Sequence, residues 1–279
     1  MNIENIGTNL GAEVRGVDLT DTDAETVGVL RQVFRAHGVL VFRDQPVTDD
    51  QQVAFSRHFG TIEPTLPSDP YGGGGLINRI GNVDAAGEII PSDDKRSLYQ
   101  AGNMLWHADG SFRAAPLKAS FLSAKEVPPA GGETEFASVR AAFADLPEGR
   151  KTELEGLVAE HSMAHSRAQI APDLMTEAFS REAPPVRHDL IRIVPETGEK
   201  MLHVGSYASH IIGWPVEKGR ALLLELLEWA TQPRYVVSHS WRADDLVMWD
   251  NRCCLHRGRP WAFDEDRRIM HRTTLKGTD

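Results

Sequence analysis

A chain of 279 residues with 41% apolar side chains could form two domains, but all-β barrels of this length often fold as one, so a single domain over 1–279 is expected. A net charge of −10, with no cluster of five or more Lys/Arg, excludes a phosphate-backbone partner; no nucleic acid is expected. Residues Met1 to Ile6 have no basic region leading into an apolar run, and no apolar stretch approaches the ~20 residues that cross a bilayer. With Cys253 and Cys254 adjacent, a poor geometry for a stabilising disulfide, these features predict a cytoplasmic protein without a membrane partner.

Residues 10–18 begin as a strand, with Leu10, Ala12 and Val14 on one face. Asp23 to His37 reads as a helix from the spacing of Val27, Leu30, Val33 and Phe34, opened by a capping box at Thr22 and Glu25 and stopped by Gly38. Val39 to Phe42 is a short apolar strand, and Thr48 to Gln51 opens a second helix running towards Phe59. From Thr61 to about Gln100, Pro64, Pro67, Pro70 and Gly72 to Gly75 break any regular element, and long loops of this kind are often active-site lids.

Residues 116–127 alternate as a strand ahead of the turn at Pro128 to Gly132. Helices are expected at Val139 to Leu146, at Thr152 to Val158 and, with the clearest amphipathic stripe, at Pro215 to Thr231. Strands follow at Arg234–Trp241, Leu246–Trp249 and Arg268–Leu275. Many short strands with a few helices suggest a mainly β chain with a jelly-roll core.

The chemistry starts at Trp106-His107-Ala108-Asp109. On one strand, His107 and Asp109 would point to the same face. A third candidate, His256, follows Trp249-Asp250-Asn251-Arg252. Two imidazoles and one carboxylate bound facially leave positions open on Fe(II), which suits oxygen chemistry. Twelve residues past His256 comes Arg268, then Arg272; four apart on a strand, they share a face, and guanidinium forks suit a carboxylate cosubstrate.

Together with Gly131-Gly132-Glu133-Thr134 and Arg267-Arg268-Ile269-Met270-His271-Arg272, these words resemble the iron(II)/2-oxoglutarate-dependent dioxygenases of the taurine dioxygenase/TfdA family, over nearly the whole chain. The resemblance implies a double-stranded β-helix (jelly-roll) core, a lid at about 61–100, and Fe(II) held by His107, Asp109 and His256. It implies 2-oxoglutarate and O2 as cosubstrates, with Arg268 and Thr134 on the distal carboxylate of the keto acid. Arg272 is expected nearer the metal, against the proximal carboxylate or the substrate's anionic group. Because Asp109 is present, oxygen insertion is expected rather than halogenation.

For the substrate, the family's pocket positions fall on Asn103, Ser166, Arg167, Tyr207, His210 and His239. His239 and Arg167 match the aryloxyacetate branch, whereas Tyr207 stands in place of that branch's histidine; Val194 and Glu88 depart from it as well. The His-and-Tyr word of the taurine branch is absent, with Thr61-Ile62-Glu63-Pro64 in its place. The expected partner is a small anionic molecule, best an aryloxyalkanoate such as 2,4-dichlorophenoxyacetate; a homo-oligomer is compatible with the sequence. Rival readings are a taurine or alkyl-sulfate dioxygenase, a metal-dependent hydrolase or isomerase on a cupin-like barrel, and a silent sensor.

Overall fold

The computed structural model describes residues 1–69 and 73–277; Pro70 and Gly72, within the expected lid, lie outside them. The chain mixes α and β structure in several sheets. Its first half contains β1 (Asn2–Asn5), β2 (Ala12–Arg15), α1 (Ala24–His37), β3 (Val39–Phe42), α2 (Asp49–Arg57), β4 (Asn78–Gly81) and α3 (Lys95–Ala101). Then come β5 (Ala119–Glu126), β6 (Thr134–Ser138), α4 (Val139–Ala144), α5 (Glu148–Leu154), β7 (Val158–His161), α6 (Met163–Ala168) and α7 (Glu177–Glu182). The last part contains β8 (Val186–Asp189), β9 (Ile191–Ile193), β10 (Lys200–Leu202), β11 (Ala208–Ile211) and α8 (Val216–Ala230). It ends with β12 (Val236–His239), β13 (Leu246–Asp250), β14 (Cys254–Gly258) and β15 (Ile269–Thr274).

A seven-stranded sheet, ordered β1-β2-β3-β13-β5-β15-β4, is the largest among the described residues. Strand parity sends its two faces to different cores. Leu40, Phe42, Phe121, Leu246 and Met248 pack against Leu30 and Phe34 of α1 and Val53 and Phe55 of α2. The alternate residues Val39, Val41, Leu122, Val247 and Trp249 meet Phe136 and Cys254 of the three-stranded sheet β12-β6-β14. Burial on both faces explains why β3 and β13 read as unbroken apolar runs. The metal-ligand candidates lie where these two sheets converge.

Several local expectations change. The cap of α1 is Asp23, which accepts from the Thr26 amide, rather than Thr22; the Asp23 carboxylate sits one residue closer to the free amides. Gly38 does end this helix, at φ 69°, and Thr48 with Gln51 does form the reciprocal capping box of α2. The helix expected at 152–158 is corrected: α5 ends at Leu154, Gly156 takes φ 76°, and Val158 begins strand β7. The loop expected through 61–100 is shorter, because β4 pairs with β15 and Asp94 caps α3. Both cysteines are buried thiols. Among the described residues, no helix is long and apolar enough to cross a membrane.

Candidate metal centre and substrate cavity

His107 and Asp109 converge by a different route from the one expected. His107 forms an isolated antiparallel bridge with His256, its amide donating to the His256 carbonyl at 3.0 Å and its carbonyl accepting from the His256 amide at 2.8 Å. The chain then leaves the bridge and turns at Asp109 and Gly110, where φ is 68°, so Asp109 sits on a turn and not on a strand. The bridge places the two imidazoles 4.1 Å apart, centroid to centroid. Asp109 Oδ1 lies 3.8 Å from His107 Nε2, and Oδ2 lies 3.7 Å from His256 Nε2. One ligand atom from each residue falls within 4.8 Å of the others, and no other such group occurs among the described residues.

The protonation states suit a cation. His107 Nδ1–H donates to the Leu105 carbonyl at 2.7 Å, which leaves the Nε2 lone pair free for a metal. Burial pushes both imidazoles below their usual pKa, so they stay neutral. Burial, the strongest single influence, opposes ionisation of Asp109, but Arg272, the two imidazoles and the Ser120 hydrogen bond together outweigh it and hold the carboxyl well below the usual range. Two neutral nitrogens and one carboxylate, all buried, form a donor set that fits Fe(II).

Sequence reasoning missed the scaffold of that carboxylate. Ser120 Oγ of β5 donates to Asp109 Oδ2 at 2.6 Å, and Asn251 Nδ2 donates to Ser120 Oγ at 3.0 Å. Asn251 Oδ1 accepts from the Asp109 amide at 3.1 Å and from Trp249 Nε1 at 3.0 Å. The Trp-Asp-Asn-Arg word thus serves as a hydrogen-bonding frame for the distant Asp109. Only that word could have signalled it; nothing in the sequence around Ser120 does.

Arg268 and Arg272 part company. Pairing of β15 with β4 runs unbroken from Ile269 to Arg272, and the shift against β5 between Ile269 and Met270 leaves the extra residue, Lys125, on β5; the four-residue spacing is kept, but the two arginines meet different partners. Arg272 Nη1 donates to Asp109 Oδ1 at 2.7 Å. Arg268 is buried over the Trp261 ring, at 5.3 Å, with one 3.4 Å bond to the Gly132 carbonyl and no acidic partner among the described residues. Burial without compensation lowers its pKa to about 10. Thr134 Oγ1, two residues beyond Gly132, accepts from Trp241 Nε1 at 2.9 Å. Arg267 turns outward to Glu126, at 2.8 Å.

A cavity opens beside the triad. Its wall includes Asp109, Asn103, Arg167, Tyr207 and Arg272, together with Leu66, Tyr99, Phe112, Met163 and Phe179. Four expected residues therefore meet there: Asn103, Arg167, Tyr207 and Arg272. Three others do not line it. Ser166 is buried behind the wall against Ser206, at 3.0 Å. His210 points away along β11 to Ser209, at 2.9 Å. His239 is held in the opposite core by Asp245, at 3.1 Å, which also pairs with Arg43. The ring of His239 meets Trp241 edge-on, so it backs the residue that binds Thr134 instead of facing a substrate.

The sequence profile of the family described as "Taurine catabolism dioxygenase TauD, TfdA family" matches residues 2–274. The chain belongs to the TauD/TfdA family. An alpha-ketoglutarate-dependent 2,4-dichlorophenoxyacetate dioxygenase from Burkholderia sp. (strain RASC) is 45% identical over 249 residues, covering 85% of this chain and 81% of its own. A dioxygenase of the same description from Cupriavidus pinatubonensis is 41% identical over 277 residues, covering 95% of this chain and 94% of its own. The crystal structure of AAD-2 in complex with Mn(II) and N-oxalylglycine superposes with a TM-score of 0.91 at 38% identity, covering 100% of this chain and 97% of that one. This TauD/TfdA member is thus a 2-oxoglutarate-dependent non-haem iron dioxygenase, and His107, Asp109 and His256 are its metal triad.

Proposed function

We propose that the enzyme hydroxylates an aryloxyalkanoate, of which 2,4-dichlorophenoxyacetate is the prototype, within a single domain built on a double-stranded β-helix. The two facing sheets and the family support that core. The observation that carries the substrate is the cavity beside Asp109, where buried arginine and an aromatic and aliphatic wall lie side by side. That pairing matches a molecule with a carboxylate at one end and an apolar ring at the other. Relatives at 45%, 41% and 35% identity are described as acting on 2,4-dichlorophenoxyacetate or (S)-phenoxypropionate.

When bound, Fe(II) with 2-oxoglutarate and O2 supplies the oxidising power, and the keto acid leaves as succinate and CO2. The chain's own residues do the rest. Arg268, a buried cation without an acidic partner among the described residues, holds the distal carboxylate of the keto acid, with Thr134 as the hydroxyl beside it. Ser120 and Asn251 fix the plane of Asp109. Leu66 and Phe179 close the cavity; Ser68 of the 61–69 segment donates to Glu182 of α7 at 2.6 Å, which ties the lid over the ring and excludes water. Hydroxylation of the carbon next to the ether oxygen gives a hemiacetal, which splits into a phenol and a 2-oxo acid.

A sulfate-ester substrate is the second reading, supported by a 30% identical alpha-ketoglutarate-dependent sulfate ester dioxygenase that covers 99% of this chain. Anaerobic reconstitution with Fe(II) and 2-oxoglutarate, followed by oxygen and a substrate panel, separates the two. Aryloxyacetates should release succinate and a phenol well above the uncoupled background, with taurine inert. Turnover of taurine or an alkyl sulfate with the aryloxyacetate inert would sink this reading.

A further inference from the structure

We propose that Trp241 is a positioning residue for the cosubstrate: its indole N–H fixes the Thr134 hydroxyl so that the hydroxyl proton is presented to the distal carboxylate of 2-oxoglutarate. This rests on Thr134 being the hydroxyl beside that carboxylate, and adds the group that aims it. Trp241 Nε1 lies 2.9 Å from Thr134 Oγ1. An indole nitrogen can only donate, so the Thr134 oxygen must accept there. The hydroxyl proton is left over, and the described residues give it no acceptor, although the side chain is only 4% exposed. A buried donor without a partner is costly, and a ligand that accepts removes the cost.

Sheet register puts that proton at a useful separation from the metal. The ligand His256 on β14 stands opposite Phe136 of β6, and Gly258 stands opposite Thr134. Thr134 and Phe136 are two apart and share a face, and the Phe136 ring stacks with that of His256 at 6.3 Å. Two residues of strand span roughly 7 Å, the scale of a five-carbon dicarboxylate chelated at its other end. Arg268, bonded to the Gly132 carbonyl two residues before Thr134, brings the cation to the same end.

Trp241 is itself held from behind. His239, opposite Thr134 in the pairing of β12 with β6, meets the indole edge-on at 4.6 Å. The His239 ring is fixed at 3.1 Å by the buried Asp245 carboxylate, which also accepts from the Arg242 amide at 2.8 Å and from Arg43. The turn from Arg242 to Asp245, with Asp244 at φ 65°, thus locks the segment that carries Trp241. A hydroxyl oriented before the ligand arrives loses less freedom on binding, and this is what a positioning residue supplies.

The test compares wild type, Trp241→Phe, Thr134→Val and the double variant, each loaded with Mn(II) under anaerobic conditions. Calorimetry measures binding of 2-oxoglutarate and of 2-oxopentanoate, which keeps the chelating end and lacks the distal carboxylate. Thr134→Val should weaken 2-oxoglutarate about 10–100-fold, the range for a hydrogen bond to a charged group. Trp241→Phe should weaken it about 5–10-fold and leave 2-oxopentanoate within about 2-fold. In the Thr134→Val background the same change should add less than about 2-fold, because the hydroxyl it aims is gone. Benzothienylalanine at position 241, which keeps the bulk of the indole and lacks its N–H, should reproduce the selective loss and stands in if Trp241→Phe does not fold. Equal loss of both keto acids, or losses that multiply in the double variant, overturns the proposal. Thr134→Val without effect removes the Thr134 assignment and the proposal with it; an effect in Thr134→Val with none at position 241 removes the proposal alone.

Discussion

Ser120 Oγ donates to Asp109 Oδ2 across 2.6 Å, and this bond fixes which edge of the carboxylate faces the two imidazoles. Partners of this kind set ligand orientation and typically contribute 10- to 100-fold to metal affinity. Ser120→Ala should therefore weaken Mn(II) binding by about 10–100-fold, and Ser120→Thr, which keeps the hydroxyl, should restore most of it. Calorimetry on the metal-free protein reads both variants. An alanine variant with wild-type affinity would leave Asp109 positioned by Asn251 alone.

Removing a ligand is more severe. Asp109→Ala, His107→Ala and His256→Ala should each abolish substrate oxidation, since two ligands cannot hold Fe(II) in a facial site with its charge balanced. Succinate formation under saturating iron and 2-oxoglutarate is the measurement. Near wild-type rates in any one variant would remove that residue from the triad.

Arg268 has no acidic partner among the described residues, so its loss would remove a buried cation from the keto acid's carboxylate. Arg268→Ala should raise the 2-oxoglutarate requirement by an amount corresponding to about 2–5 kcal/mol. Initial rates against 2-oxoglutarate concentration give the change directly. An unchanged requirement would shift this role to Arg272.

His239 faces Asp245 and Trp241, away from the cavity. His239→Ala should cost stability of about 1–3 kcal/mol through the lost buried bond, with the KM for substrate unchanged. A chemical-denaturation midpoint and a KM on the same sample distinguish the outcomes. A selective rise in KM with stability intact would return His239 to the substrate pocket.

Acid sensitivity should come from a cluster of buried His161 and His203 with half-buried His188, their centroids 4.4 to 5.2 Å apart. Burial lowers all three, with His161 at about 3 against an ordinary 6.5. A lowered pKa means the folded chain binds fewer protons than the unfolded one. The contribution is thus complete above pH 6.5 and is lost as pH falls towards 3. His161 and His203 can each remove up to about 1.4 kcal/mol per pH unit, roughly 2–4 °C in Tm for a chain of this size, and the half-buried His188 less because solvent screens it. His161→Phe should flatten that slope, and a wild-type Tm that is level from pH 6.5 to 4 would contradict the account.

Much of this protein is legible in one dimension. Capping at Thr48 and the Gly38 stop depend on local backbone donors and φ, so they follow from neighbouring residues. The metal triad was also readable, because oxygen chemistry on iron demands those residue types whatever their distance along the chain. Strands such as β7, β8 and β10 were not. Each has only three or four residues, too few for alternation to stand out, and each exists because a partner strand satisfies its backbone.

Tertiary structure alone decided what each polar residue does. Arg167 and His239 were equal candidates in the sequence, yet one enters the cavity and the other is buried against Asp245. Arg268 and Arg272 look alike in the sequence, yet Arg268 is buried over Trp261 and Arg272 meets Asp109. Ser120 carries no motif at all; pairing of β5 with β13 brings it to Asp109. Residue type and spacing determine which chemistry the chain can perform. Which guanidinium finds a carboxylate and which stays unpaired depends on register and burial, and these are set by packing between strands far apart in sequence.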